Sequence, residues 1–177
     1  MFGAWFYVVS FSLIAILLVI LWVVYAPDSP WAPWWKTNKK IARAAARLGK
    51  IKAKDIVYEL GSGDGEFIVT IARDCKVKKA VGVEIDLIRV WISKIRLFFN
   101  PRAQKNAQFV RSNFYDIKLK DATVVYFYLV PRAMERLLPK LKKELKPGTR
   151  VIRYWFKFKS IKPMAMDKKN KIYLYEM

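Results

Sequence analysis

Apolar and polar positions fall in blocks along the chain, and the period of each block predicts its element. Gly3 to Tyr25 is apolar throughout except at Ser10 and Ser12. From Thr37 to Leu48, Ile41, Ala44, Ala45 and Leu48 recur at helical spacing, with Thr37 placed to cap the helix and Gly49 to end it. Asp55 to Leu60 is a short apolar strand followed at once by a glycine-rich turn, and Glu66 to Arg73 is a helix. Ala80 to Ile85 is a second strand; Asp86 opens a helix that runs to Phe99 and stops at Asn100 and Pro101. Ala107 to Arg111 is a third strand. Ala122 to Leu129 is a fourth, a continuous apolar run of the kind that buried parallel strands require. Pro131 opens a helix at its favoured first position, Pro139 predicts a kink or a break inside it, and Pro147-Gly148 closes it. Arg150 to Phe158 is a fifth strand, and the alternation from Lys171 to Glu176 suits an edge strand.

Alternating strands and helices predict an α/β fold: a Rossmann-like, mostly parallel sheet with helices on both faces. Ligands of such sheets bind at the carboxyl ends of the strands, near the switch in strand order.

The first block stands apart. As a helix, Gly3 to Tyr25 measures about 34 Å at ~1.5 Å per residue, enough for a hydrocarbon core of ~30 Å. Trp5, Phe6 and Tyr7 lie near one end and Trp22, Tyr25, Trp31, Trp34 and Trp35 near the other, as interfacial aromatic rings do. Pro27, Pro30 and Pro33 follow. A cleaved signal peptide would need a basic start and a shorter apolar stretch, and no Lys or Arg precedes this run. A transmembrane anchor over residues 1–27 is therefore expected, then an interfacial linker and helix over 28–50, and a catalytic-size domain over 51–177. Lys36, Lys39, Lys40 and Arg43 follow the segment, so the positive-inside rule puts a single-pass protein's C-terminal domain on the cytoplasmic, or equivalent interior, side.

Composition narrows the chemistry. The chain has no His and one Cys, which excludes Ser-His-Asp and Cys-His triads, internal disulfides, and His- or Cys-cluster metal sites; no metal is expected. The net charge is +20, all of it carried beyond residue 27, because the first charged residue is Asp28. So basic a surface seeks an anionic partner, and the Lys clusters at 140–146, 157–162 and 168–171 read as a face for an anionic membrane.

Against that background the acids are conspicuous by position. Glu59-Leu60-Gly61-Ser62-Gly63-Asp64-Gly65 follows a strand and precedes a helix. The glycines let the backbone turn sharply and approach a ligand. The sixth position of a G-x-G-x-x-G pattern is occupied by Glu66, and there is no P-loop Lys-Ser/Thr pair, so neither a dinucleotide nor a polyphosphate is implied. Glu59, Asp64 and Glu66 suit a ligand with positive charge and amine donors. Glu84, ending the second strand, is placed to accept ribose hydroxyls. Asn113 and Phe114, after the third strand, offer an amide for an adenine edge and a ring to stack on it. Together these residues read as one S-adenosylmethionine site. Tyr126 and Tyr128 end the fourth strand, where the substrate pocket of such a fold opens, and are the candidate catalytic residues.

The pair E-L-G-S-G-D-G and G-V-E-I-D resembles class I (seven-strand) S-adenosylmethionine-dependent methyltransferases over about residues 51–158. A narrower resemblance is carried by D-I-V-Y-E-L-G-S-G-D-G-E, the upstream A-P-W-W-K-T, and V-V-Y-F-Y-L-V-P-R-A-M-E-R-L-L-P-K-L. These are similar to the membrane-anchored protein-lysine methyltransferases of mitochondria that modify the c-ring protein of ATP synthase and the adenine nucleotide translocase. The resemblance implies that Glu59–Glu66 hold the cofactor's amino-acid part, that Glu84 binds its ribose, and that Trp35 and Thr37 form a lid over substrate or cofactor. It also implies a lysine-bearing membrane protein as substrate. Little chain remains after the fifth strand for the last strand pair of the full fold. A lipid headgroup-amine methyltransferase fits the same anchor and site. An RNA methyltransferase would suit the charge, but no nucleic-acid module is evident and nucleic acid is not an expected partner. An adaptor without activity would have little use for the intact loop with Glu84.

Overall fold

The computed structural model describes residues 3–25 and 35–177, and of 21–25 the backbone alone. The expected boundary at residues 27 and 28, with Trp31 and Trp34, lies outside the described residues. The chain forms two compact units, Met1–Pro33 and Trp34–Met177. The first contains one helix, α1 (Ala4–Tyr25), with no charged residue and with apolar side chains exposed along it. Among the described residues no helix is long and apolar enough to cross a membrane. Side chains of α1 are described from Ala4 to Ile20, about 26 Å at ~1.5 Å per residue against a ~30 Å core. The expected transmembrane helix is thus carried by the sequence and not by the structure.

The second unit opens with α2 (Lys39–Leu48), then β1 (Ile56–Leu60), α3 (Glu66–Cys75), β2 (Lys79–Glu84) and α4 (Leu87–Phe98). A single turn, α5 (Pro101–Gln104), leads to β3 (Ala107–Arg111), β4 (Val124–Phe127) and α6 (Pro131–Glu144). The chain ends in β5 (Arg150–Tyr154), β6 (Ala165–Asp167) and β7 (Ile172–Glu176). The strands form one seven-stranded sheet in the order β3-β2-β1-β4-β5-β7-β6. Its β3-β2-β1-β4-β5 portion is parallel, and β7 is antiparallel to both β5 and β6. The order reverses between β1 and β4, so the crevice at their carboxyl ends is the switch point.

Strand alternation sends Val57, Val124, Tyr126 and Ile152 into a core with Ile41, Ala45, Phe67, Ile68 and Ile71 from α2 and α3. The alternate residues Val125, Phe127, Val151 and Arg153 are fully buried on the opposite face, where Ala133, Met134, Leu137, Leu138 and Leu141 of α6 supply the cover. Helices on both faces of a mostly parallel sheet are the expected architecture.

Five expectations are corrected. Asn38, not Thr37, caps α2: its Oδ1 accepts the Ile41 N–H at 2.9 Å. The break that Pro139 could make does not occur: α6 continues to Glu144, with Leu137, Leu138 and Leu141 buried on both sides of the proline. The fifth strand stops at Tyr154, since Trp155 turns the chain with φ +73°. The last strand pair is present after all. β7 is an interior strand, and the edge is the three-residue β6.

Candidate active site

The site grows from the end of β1. Gly61, Gly63 and Gly65 have φ of +77°, +52° and +76°, so the turn that connects β1 to α3 is built on left-handed positions that side-chain-bearing residues avoid. The turn folds over β2: the N–H groups of Gly61 and Ser62 both donate to the Val83 carbonyl, at 2.9 and 3.0 Å. Beneath it Gly82 has no room for a side chain, because a Cβ there would stand 2.4 Å from the Phe109 ring and 2.9 Å from Ser62 Oγ.

Glu84 joins the loop to the next strand. Its Oε2 accepts the Gly63 N–H at 2.8 Å, and its Oε1 accepts those of Ile85 and Asp86 at 2.9 and 3.0 Å. The Ser112 N–H donates to the Glu84 carbonyl at 3.0 Å, which brings Asn113 and Phe114 to the same rim. Asn113 Oδ1 accepts the Tyr115 N–H at 3.1 Å, and the half-buried Phe114 ring lies 4.5 Å from that of Tyr115.

The acids do not act as one group. Arg96 of α4 takes up two of them. Its Nη2 donates to Asp64 Oδ2 at 2.9 Å, its Nη1 pairs with Glu66, and its Nε donates to the Asp64 carbonyl at 2.8 Å. Asp86 caps α4 through the Arg89 N–H. Glu59 remains. It is buried, its Oε2 has no hydrogen-bond partner, and burial together with the Asp64 and Glu84 charges pushes its carboxyl well above the ordinary range. Ser62 Oγ is likewise buried without a partner. The Arg96 clamp had only a general signal in the sequence: two acids flanking Gly65 call for a cation, but nothing local says that it comes from thirty residues on.

The two candidate tyrosines part company. Tyr126 is fully buried, stacked on Phe67 with ring centroids 3.8 Å apart, and its hydroxyl lies 3.1 Å from Thr37 Oγ1. Burial pushes its pKa well up. Tyr128 is half-buried among rings: Trp35 at 5.2 Å and Tyr154 at 4.5 Å, with Phe156 5.8 Å from Trp35. Burial, with Tyr154 adding to it, pushes the Tyr128 hydroxyl up to about 12. Thr37 and Trp35 thus reach β4 from the segment before α2, one in the core and one over the strand end.

The model of the ANTKMT methyltransferase domain matches residues 59–165. A protein-lysine N-methyltransferase of Saccharolobus islandicus (strain REY15A) is 39% identical over 157 residues, which is 85% of this chain and 95% of that one. This chain belongs to the ANTKMT methyltransferase family. The human lysine N-methyltransferase named for the c-type subunit of ATP synthase is 31% identical over 102 residues, 58% of this chain. The chain spans only 42% of that enzyme's length. Among solved structures, an RNA methyltransferase from Salinibacter ruber in complex with S-adenosyl-L-homocysteine superposes with a TM-score of 0.76 at 28% identity. That match covers 80% of this chain and 93% of that one. As a member of the ANTKMT family the protein is an S-adenosylmethionine-dependent methyltransferase. The donor set fits that cofactor: an orphaned buried carboxylate oxygen at Glu59, an orphaned hydroxyl at Ser62, and a glycine turn open to close approach.

Proposed function

We propose that this methyltransferase modifies the side-chain amine of a lysine in a membrane protein, while its N-terminal segment holds it at the membrane and its catalytic domain lies on the cytoplasmic side. The observation that carries the reading is an uncharged helix of 22 residues, apolar but for two serines, ahead of residues 28–177, which together bear the full +20 charge. The ATP synthase component named for the vertebrate relatives supports a substrate of the same kind, a lysine on a membrane protein.

The bound cofactor supplies an electrophilic methyl group on a sulfonium, so the protein's task is to hold and orient. Glu59 Oε2 would receive the cofactor's ammonium, with the Gly61–Gly65 backbone, Ser62 and Asp64 holding the same amino-acid part. A carboxylate offers about four acceptor positions, and Glu84 already accepts three N–H groups, so one ribose hydroxyl completes it. Asn113 presents its amide N–H groups to the base, since its Oδ1 is engaged, and Phe114 stacks there. The incoming lysine reaches the site alongside the Trp35 and Tyr128 rings, which are in contact with each other and whose outer faces attract a cation. It must be neutral to attack. Tyr128, held near 12, stays protonated and accepts a hydrogen bond instead of a proton. Burial and neighbouring cations lower the amine's own pKa. Tyr126 acts from inside the core by fixing Thr37.

The test is methyl transfer from labelled cofactor to native membranes, with Glu84→Ala as the inactive control. Label in a protein band, located on a lysine by mass spectrometry, supports the reading; label only in the lipid extract refutes it in favour of a headgroup amine. The Salinibacter ruber relative favours one other reading, transfer to RNA; label recovered in RNA and absent from protein would establish it.

A further inference from the structure

We infer that α4 is a second membrane contact: its exposed apolar stripe lies in the headgroup–acyl boundary of an anionic bilayer. Within α4 only Val90 and Ser93 are buried by the fold. Leu87, Trp91, Ile95 and Phe98 are spaced four, four and three residues apart, which places them on one side of the helix, and all four are exposed. Ile85 before the helix and Phe99 after it extend the stripe, with Phe98 and Phe99 71% and 73% exposed. Six large apolar side chains in one stripe form a contiguous patch that solvent alone does not explain.

The surroundings say what covers it. From Ile85 to Tyr115 the chain has six basic residues and one acid, Asp86. Lys94, Arg102 and Lys105 are exposed around the stripe. An apolar strip of Trp, Phe, Leu and Ile with a basic rim is the composition of a helix that lies in a membrane interface. The aliphatic Ile85, Leu87 and Ile95 between the rings give a nucleic-acid base nothing to stack on. A second copy would set like-charged rims against each other. Ile85 and Leu87 adjoin Glu84, so a bilayer on this stripe brings the rim of the candidate site to headgroup level. The inference shares the bilayer with the proposed function and needs neither methyl transfer nor the N-terminal anchor.

The experiment uses the full chain with Cys75→Ser and an environment-sensitive fluorophore on Phe98→Cys, with Trp91→Cys as a second site and Lys120→Cys as the exposed reference. Vesicles of equimolar phosphatidylcholine and phosphatidylglycerol are added. The probes on α4 are expected to shift to the blue and to be quenched several-fold more than the reference by spin-labelled lipid. High salt should reverse this. Probes at 98 and 91 that both remain as water-exposed as the reference overturn the inference. So does a shift that needs RNA in place of vesicles, or one that follows protein concentration in detergent alone. Carbonate extraction separates this outcome from the anchor: a chain that resists extraction with α4 in water keeps the anchor and loses the contact. A chain that is stripped by carbonate yet buries its α4 probes at low salt does the reverse.

Discussion

The carboxylate of Glu84 accepts the N–H of Gly63 at 2.8 Å, so the acid that ends β2 holds the middle of the turn that ends β1. One side chain thus ties two strand ends into one rim. A hydrogen bond to a charged group contributes ~1.5–3 kcal/mol, and Glu84→Ala removes three while exposing the cofactor's ribose to water. Cofactor affinity should fall by about 10- to 100-fold for the one ribose hydroxyl bond lost. Calorimetric titration of S-adenosylmethionine checks it, and an unchanged affinity would remove Glu84 from the site.

Glu59 makes cofactor binding depend on pH. Its carboxyl is held well above the ordinary range by burial and by Asp64 and Glu84. Below that raised value the empty site holds a proton, which the cofactor's ammonium must displace. Affinity should therefore climb by up to about tenfold per pH unit until the raised value is passed, and then level off. Titrations in two buffers of different ionisation enthalpy should show proton release. Glu59→Gln should bind weakly with no such pH dependence; a variant that keeps the slope would place the proton elsewhere.

Much of this arrangement is legible in the residue pattern. Continuous apolar runs ending in a glycine turn and an acid place β1, β2 and the loop, because burial and turn chemistry are local. What escapes is set by distant partners. The β6–β7 hairpin is hidden by its short, half-polar edge strand and by Lys168, Lys169 and Lys171 at the turn, and pairing with β5 makes an interior strand of β7. Glu59, Asp64, Glu66, Glu84, Asp86 and Asp116, six acids at the strand ends, suggest a single cationic ligand, yet Arg96 neutralises Asp64 and Glu66, and Asp86 caps a helix. Tyr126 and Tyr128 look equivalent two residues apart, yet only Tyr126 is fully enclosed.

Thr37 and Tyr126 should behave as a coupled pair. Their hydroxyls, 3.1 Å apart in a buried setting, tie the segment before α2 to β4. Thr37→Val and Tyr126→Phe should each cost ~1 kcal/mol, and the double variant should cost less than the two combined. Denaturant titrations of all four proteins measure this coupling, and strict additivity would show that the bond contributes nothing.

Arg153 is a charge that the fold tolerates at a cost. Its guanidinium is fully buried, 4.4 Å from the Phe158 ring centroid and 5.3 Å from that of Phe127, with the Tyr175 hydroxyl as its polar neighbour. Burial pulls its pKa down to about 10, with Tyr175 and Glu135 opposing. Desolvated cation–π contacts return ~2 kcal/mol each, against several kcal/mol for burying an ion. Arg153→Met should leave stability equal or higher by up to ~2 kcal/mol; a clear loss in thermal unfolding would mean that the rings outweigh desolvation.

Tyr128 provides the sharpest division between positioning and base catalysis. With its hydroxyl pushed up to about 12, it carries its proton throughout the working range. The pH dependence of kcat/KM should therefore rise with deprotonation of the lysine substrate, and Tyr128→Phe should reproduce the same profile at a lower plateau. A limb near neutrality that disappears in Tyr128→Phe would instead make the tyrosine the base. Stability follows the same shift with a definite sign. Tyr128 and Tyr58 both rise from 10.0 to about 12, so their protonated forms are favoured by the fold. Their contribution is complete below pH 10 and is lost as the pH climbs through about 12. Chemical unfolding across that window should show falling stability, and the fall should shrink in Tyr58→Phe, which removes a hydroxyl raised by burial first and then by Asp121, to which it donates at 2.9 Å.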